Sequence, residues 1–227
     1  MNKLLSLLQL SDPALPIGGF SHSAGLETYV QHGIVNNLET AKEFITQQLS
    51  QNIFYTDAAF VSLAYDAAEK KDLQSLLQLN EECTAVKLPK EMRQASQKMG
   101  ARLSKLFSSL CKEDFADEFL NALAENNHSV HYPVAFGMYA CTLGISKIES
   151  LTGFFYNTAA GMVTNSVKLI PLGQKDGQEI LFSIHSLIDA LAKKSLTPDK
   201  DLIGLCCTGF DIRCMQHERL YSRLYMS

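Results

Sequence analysis

An all-α fold is what this sequence predicts: a single-domain multi-helix bundle with short Pro/Gly-containing connecting loops. Three observations carry that expectation. Apolar residues recur at three- and four-residue steps along most of the chain, the spacing that keeps one face of a helix turned toward a core. Helix-start signals stand ahead of several of these runs. Sustained alternation of apolar and polar residues, the mark of a half-buried strand, is missing; the nearest candidate, Val130 to Val134, is short and contains Pro133.

The elements follow in chain order. MNKLLSLLQLSDP opens with an apolar run broken by Ser6 and Gln9 and has no A-x-A-like cleavage site, so Leu4 to Leu10 reads as a helix and not as a signal peptide. Asn36 to Glu39 resembles a helix start leading to Ala41, Phe44, Ile45 and Leu49. Asp57 to Ala68 and Asp72 to Ala85 read as two further helices. Met92, Ala95, Met99, Leu103, Leu106, Phe107 and Leu110 mark one face of a long helix, with Pro89 where a first-turn proline is tolerated. Ser146 and Glu149 form a capping box, in which two side chains satisfy orphan amides. The helix it opens carries Ile148, Leu151, Phe155, Ala159, Met162 and Val163. Leu181, Ile184, Ile188 and Leu191 mark another. Loops are expected at 12–19, 126–133, 171–177 and 196–201. No repeat, low-complexity stretch or linker divides the chain, so residues 1–227 read as one domain.

Composition narrows the function classes. With 46% apolar residues among 227, the chain can bury a core without cross-links. The net charge is −4, and no basic stripe with interleaved aromatics is present, which argues against a nucleic-acid partner. No run of about 18 apolar residues occurs, which argues against a membrane span. Cys83, Cys111, Cys141, Cys206, Cys207 and Cys214 include no C-x-x-C pair; reduced thiols in a cytosol are expected.

Candidate chemistry is sparse. Around Ser21, His22 and Ser23 the sequence GFSHS resembles a G-x-S-x-G nucleophile elbow, but Ser23 replaces the second glycine and the preceding segment reads as helix where an elbow needs a strand. The enzyme alternatives are a hydrolase using Ser21 or Ser23 with His22, or a metal-dependent enzyme using His128 and His131. Neighbours in sequence seldom reach nucleophile–base geometry, and no third orienting group is evident. No G-x-x-x-x-G-K-[ST] loop is present, so the chain is not itself a P-loop nucleotidase. His128 with His131, and Cys214 with His217, are two-ligand fragments suited to nickel, zinc or copper. Each lacks a third ligand, so no metal site is assigned. Cys206 and Cys207 read as small core residues. Glu113, Asp114, Asp117 and Glu118 read as a solvated helix start, with docking of a basic partner left open. The opening LPIGGFSHSAGLET reads as a stiff turn set by Pro13, Pro16, Gly18 and Gly19, with Ser21 or Ser23 capping the next helix; a direct contact site is the other reading.

Four patches in order go further: LSDPALPIGGFSHSAGLE, LPKEMRQASQKMGARL, HYPVAFG followed by LIPLGQKDGQEIL, and the closing HERLYSRLYMS. Together they resemble the urease accessory protein F family, UreF, and they reach from the first turn to the last residue. The resemblance implies an all-α cytoplasmic protein that forms a homodimer and has no established catalytic activity or cofactor of its own. It implies a complex with a second accessory protein, UreD (also called UreH), and with the GTPase UreG, docking on apo-urease to help install nickel. A helical adaptor unrelated to urease is a further alternative.

On that reading the prolines and glycines shape a scaffold: Pro13, Pro16, Gly18 and Gly19 first, then Pro133 and Gly137, then Pro171, Gly173 and Gly177, with Gln174, Asp176 and Gln178 holding the last loop. Residues 214–227 form a tail expected to order on the second accessory protein. His217, Glu218, Tyr221, Ser222, Arg223, Leu224 and Tyr225 are its contact candidates, with Tyr221 and Arg223 as anchors, since Tyr and Arg are enriched at interface centres. Fraying, or packing on the chain's own helices, is the other outcome. The family tail commonly reads R-H-E before Y-S-R-L-F-R-S; here Gln216 and Met226 replace two arginines and Tyr225 replaces phenylalanine. His217 matches the family pattern without thereby becoming a nickel ligand.

Overall fold

The helix-start chemistry read from the sequence sets the element boundaries. In the computed structural model, which describes residues 2–226, α1 spans Lys3–Leu10 and α2 Leu26–Gln31. Asn37 caps α3, Leu38–Gln47: its side chain accepts the Thr40 amide at 2.9 Å, and the Thr40 hydroxyl accepts the Asn37 amide at 3.1 Å. Then come α4, Asp57–Glu69, and α5, Leu73–Val86, the latter capped by Asp72. The long amphipathic run forms α6, Lys90–Leu110, followed by α7, Asp114–Glu125, and α8, Tyr132–Thr142. Ser146 and Glu149 close the expected capping box at the start of α9, Lys147–Leu169. The chain continues through α10, Gln174–Ser183, α11, His185–Lys194, and α12, Thr208–His217. Among the described residues there is no strand, so the fold is all-α.

The core is organised around α8. Every residue from Tyr132 to Ala140 is buried, and the helix packs against α4, α6 and α9. The interior is dense with aromatics: Phe136 and Phe154 stack edge-on with ring centroids 5.2 Å apart, and Tyr132 lies 5.8 Å from Phe154. Such offset and edge-on pairs add to the stabilisation from burial alone.

Several expected turn residues lie inside helices instead. Pro133 occupies the first turn of α8, where the missing amide costs nothing. Gly137 sits mid-helix because α4 comes so close that an added Cβ would strike the Val61 carbonyl oxygen. Gly177 lies within α10, where a Cβ would meet Val167 of α9 at 2.8 Å. Their role is close helix approach, not chain reversal. Pro171 and Gly173 stay in the connector, and Asp176 holds it by accepting the Gly173 amide at 2.8 Å.

Two helical runs are also interrupted. The periodic stretch through Leu181 and Leu191 breaks at Ile184 into α10 and α11, next to a Ser183 hydroxyl that bonds back to the Ile180 carbonyl, a local competitor to the helical ladder. After α3 the chain passes through a wide π-helical turn, Gln48–Ile53.

Candidate docking site where the chain ends meet

The opening glycine-rich segment is a shaped turn. Gly18 adopts φ +88°, and any side chain there would collide with the Arg102 guanidinium, which donates to the Ile17 carbonyl at 3.2 Å. Gly25 adopts φ +81°, with Phe210 and Cys214 of α12 close enough to exclude a Cβ. Both positions favour glycine by backbone angle, and at Gly25 the packed Phe210 and Cys214 side chains also leave no room. Ser21 donates to the Gly18 carbonyl at 2.7 Å, and buried Ser23 accepts the Glu27 amide at 3.4 Å. The two serines brace the turn.

This turn delivers Glu27, in the first turn of α2, to the inner face of α12. Glu27 is 3% exposed. Its Oε1 accepts the Leu224 amide at 2.7 Å, and its Oε2 accepts the Tyr225 amide at 3.1 Å. The same Oε2 lies 3.1 Å from His217 Nε2, while His217 Nδ1 lies 2.7 Å from Glu91 Oε2 on α6. Arg223 donates to Glu91 Oε1 at 2.7 Å. Both imidazole nitrogens therefore face carboxylate oxygens.

The tail thus folds back on the body. Its irregular backbone is held by Glu27, by Gln31, which donates to the Ser222 carbonyl at 2.8 Å, and by the Ser21 carbonyl, which accepts the Met226 amide at 2.9 Å. Tyr225 is buried. Tyr221 is fully exposed, and Leu224, Met226 and Phe20 are more than half exposed. Glu218, Ser222 and Arg223 also lie on the outside. The result is a surface with several large apolar side chains, built from both ends of the chain.

The histidine pairs resolve differently. His128 is exposed, whereas His131 is buried with Nδ1 3.0 Å from the Ser96 hydroxyl and Nε2 2.9 Å from that of Thr84. Burial, assisted by the Lys87 ammonium, lowers the His131 pKa to about 4, so the ring is neutral near pH 7. It ties together α5, α6 and the entry to α8. Cys214 is buried against Gly25, and burial raises its thiol pKa, while His217 spends both nitrogens on Glu27 and Glu91. Among the described residues no group of three or more His, Cys, Asp or Glu side chains is placed to hold a metal ion. Burial, with Lys98 and Arg102 adding to it, also lowers the His22 pKa.

Glu27 and Glu91 were not singled out by sequence reasoning. Both lie inside quoted patches: one ends LPIGGFSHSAGLE, the other falls in LPKEMRQ. Nothing in the local sequence sets either residue apart from the other acidic residues on helices.

Comparison with known proteins gives a consistent result. The UreF family model matches residues 35–185. The urease accessory protein UreF of Actinobacillus pleuropneumoniae serotype 5b (strain L20) is 47% identical over 227 residues, covering all of both chains. The protein of the same name from Haemophilus influenzae (strain ATCC 51907 / DSM 11121 / KW20 / Rd) is 43% identical over the whole of this chain and 97% of its own. That from Bacillus sp. (strain TB-90) is 35% identical over the full length of both.

Proposed function

Because the chain belongs to the UreF family of urease accessory proteins, and so to urease maturation, we propose that it acts there as a non-catalytic scaffold. In this reading it works in the cytoplasm as a homodimer. It joins the UreD/UreH accessory protein and the GTPase UreG on apo-urease, and helps nickel reach the urease active site as UreG hydrolyses GTP. Nickel is cargo here, and the GTPase chemistry belongs to the partner, in keeping with a sequence that has no phosphate-binding loop.

The observation that carries the reading is the full-length match to relatives named as urease accessory proteins. The structure adds a means. A scaffold needs rigid, exposed contact residues, and the clasped tail offers Tyr221 and Leu224 on a backbone already fixed by Glu27. Ordering a docking segment before the partner arrives lowers the entropic cost of association.

Co-purification with UreD/UreH tests it. A Tyr221→Ala, Arg223→Ala double variant loses the complex while remaining folded. Undiminished complex formation by that variant removes the tail from the interface.

A further inference from the structure

Cys206 and Cys207 are not the small core residues that their apolar surroundings suggest. Cys206 is exposed and Cys207 half-buried, whereas Cys83 and Cys214 are enclosed. The two thiols line one open pocket beside the end of α5, together with Val86, Leu88, Leu205 and Asp211.

The backbone on either side fixes where the pair sits. Gly204 takes φ +77°, its amide donates to the Tyr55 carbonyl at 2.8 Å, and Val86 leaves no room for a Cβ there. That turn pins the incoming chain against α5. On the outgoing side Cys207 occupies the N-cap position of α12, and its carbonyl accepts the Asp211 amide at 3.0 Å. The Asp211 carboxylate also accepts a hydrogen bond from the Cys206 thiol at 3.3 Å. A tied turn and a helix start therefore hold both sulfurs at one surface.

The chemistry of the pair narrows what it can do. Neighbouring Cα atoms across a trans peptide lie about 3.8 Å apart, short of the separation of about 4.4 Å at which disulfides begin. The pair resists closing on itself and persists as a dithiol. The group bonded to Cys206 is a carboxylate, the opposite of the cationic neighbour that makes a thiol a strong nucleophile. Two thiols side by side are suited instead to a soft cation. Ions that need three or four protein ligands are not served, because among the described residues no group of three or more His, Cys, Asp or Glu side chains is placed to hold one. A soft, closed-shell, singly charged ion is satisfied by two sulfurs.

We propose that Cys206 and Cys207 form a two-thiolate binding site for cuprous copper. On binding, both thiols release their protons to solvent and two S–Cu bonds form. The copper stays cuprous, so no oxidant or reductant takes part. Asp211 is a positioning residue that holds the Cys206 sulfur at the pocket. Val86, Leu88 and Leu205 supply an apolar wall, which restricts solvent access to the ion. This binding is independent of urease maturation and is measured without it.

The test uses the full-length reduced protein, titrated without oxygen with the cuprous acetonitrile complex against bicinchoninate, a coloured cuprous chelator. Wild type withdraws one equivalent of copper from the chelator and gains near-ultraviolet thiolate-to-copper absorption. Cys206→Ser, Cys207→Ser and the double variant each lose that equivalent. Serine is close to cysteine in size and still donates to Asp211, so these variants fold, and urea unfolding checks that they do. A Cys111→Ser, Cys141→Ser double variant, which removes the two half-buried thiols elsewhere in the chain, keeps the equivalent. Failure of wild type to withdraw copper overturns the site. Retention by the Cys206→Ser, Cys207→Ser double variant places the copper elsewhere and overturns it as well. A single variant that keeps the full affinity overturns ligation by two thiolates.

Discussion

Glu27 Oε2 and His217 Nε2 lie 3.1 Å apart although 190 residues separate them in the chain. That contact joins the glycine-rich opening to the closing tail. It explains why the segment around Gly18 and Gly25 must take its shape: the turn exists to present one buried carboxylate. The carboxylate in turn gives two amides of an irregular segment the acceptors that a helix or sheet would otherwise supply.

Removing that acceptor should release the tail. Glu27→Ala leaves His217 and two backbone amides without their partner, and breaking a buried pair of this kind costs about 3 kcal/mol or more. Hydrogen exchange at the Leu224 and Tyr225 amides should accelerate about 100-fold. Protection in α4 and α8 should fall far less. Unchanged exchange at those two amides would show that Glu27 does not hold the tail.

Tyr225→Phe should stabilise the protein or leave it unchanged. The Tyr225 hydroxyl is buried without a hydrogen-bond partner, and the sequence resemblance expects phenylalanine at this position. Removing an unpaired buried hydroxyl is worth about 1 kcal/mol. Urea unfolding reads the difference; a clear loss of stability would reveal a partner for the hydroxyl.

Gly137→Ala should destabilise. The new methyl group meets the Val61 carbonyl and the Tyr65 amide of α4, and backbone atoms cannot swing aside as a side chain can. An overpacking cost of about 3 kcal/mol is expected, despite the gain in helix propensity from replacing glycine. Thermal or urea unfolding checks it, and a neutral result would mean that α4 and α8 separate easily.

His131 should make the fold acid-sensitive. Its folded pKa of about 4 lies below the value of about 6.5 for an unfolded histidine. Between those pH values the unfolded state binds more protons, so stability falls as pH is lowered through that window. The full contribution is about 3 kcal/mol. Urea unfolding at both ends of the window, for wild type and His131→Gln, should show the variant losing less on acidification. Equal losses would place the acid sensitivity elsewhere.

The sequence made some of this legible and hid the rest for physical reasons. Asn37, Asp72 and Ser146 mark their helix starts because capping is local chemistry. The helix α8 escaped notice because it is buried on every side, so it has no apolar stripe to detect. Gly137 and Gly177 looked like turn residues because glycine serves close approach and chain reversal equally well. The π-helical turn at Gln48 and the break at Ile184 each alter the helical ladder over a few residues that otherwise keep an apolar period. The clasp could not be read, since Glu27 and Glu91 are ordinary helix residues until folding brings the tail to them.

The central claim is that this chain promotes urease maturation by binding, as a platform for the other accessory proteins. The most direct measurement is the nickel content of urease purified from cells that supply every other accessory protein at fixed nickel, with and without this chain. The account predicts nickel-poor, weakly active urease in its absence and restoration by the wild-type chain. Full nickel occupancy of urease made without it would contradict the account.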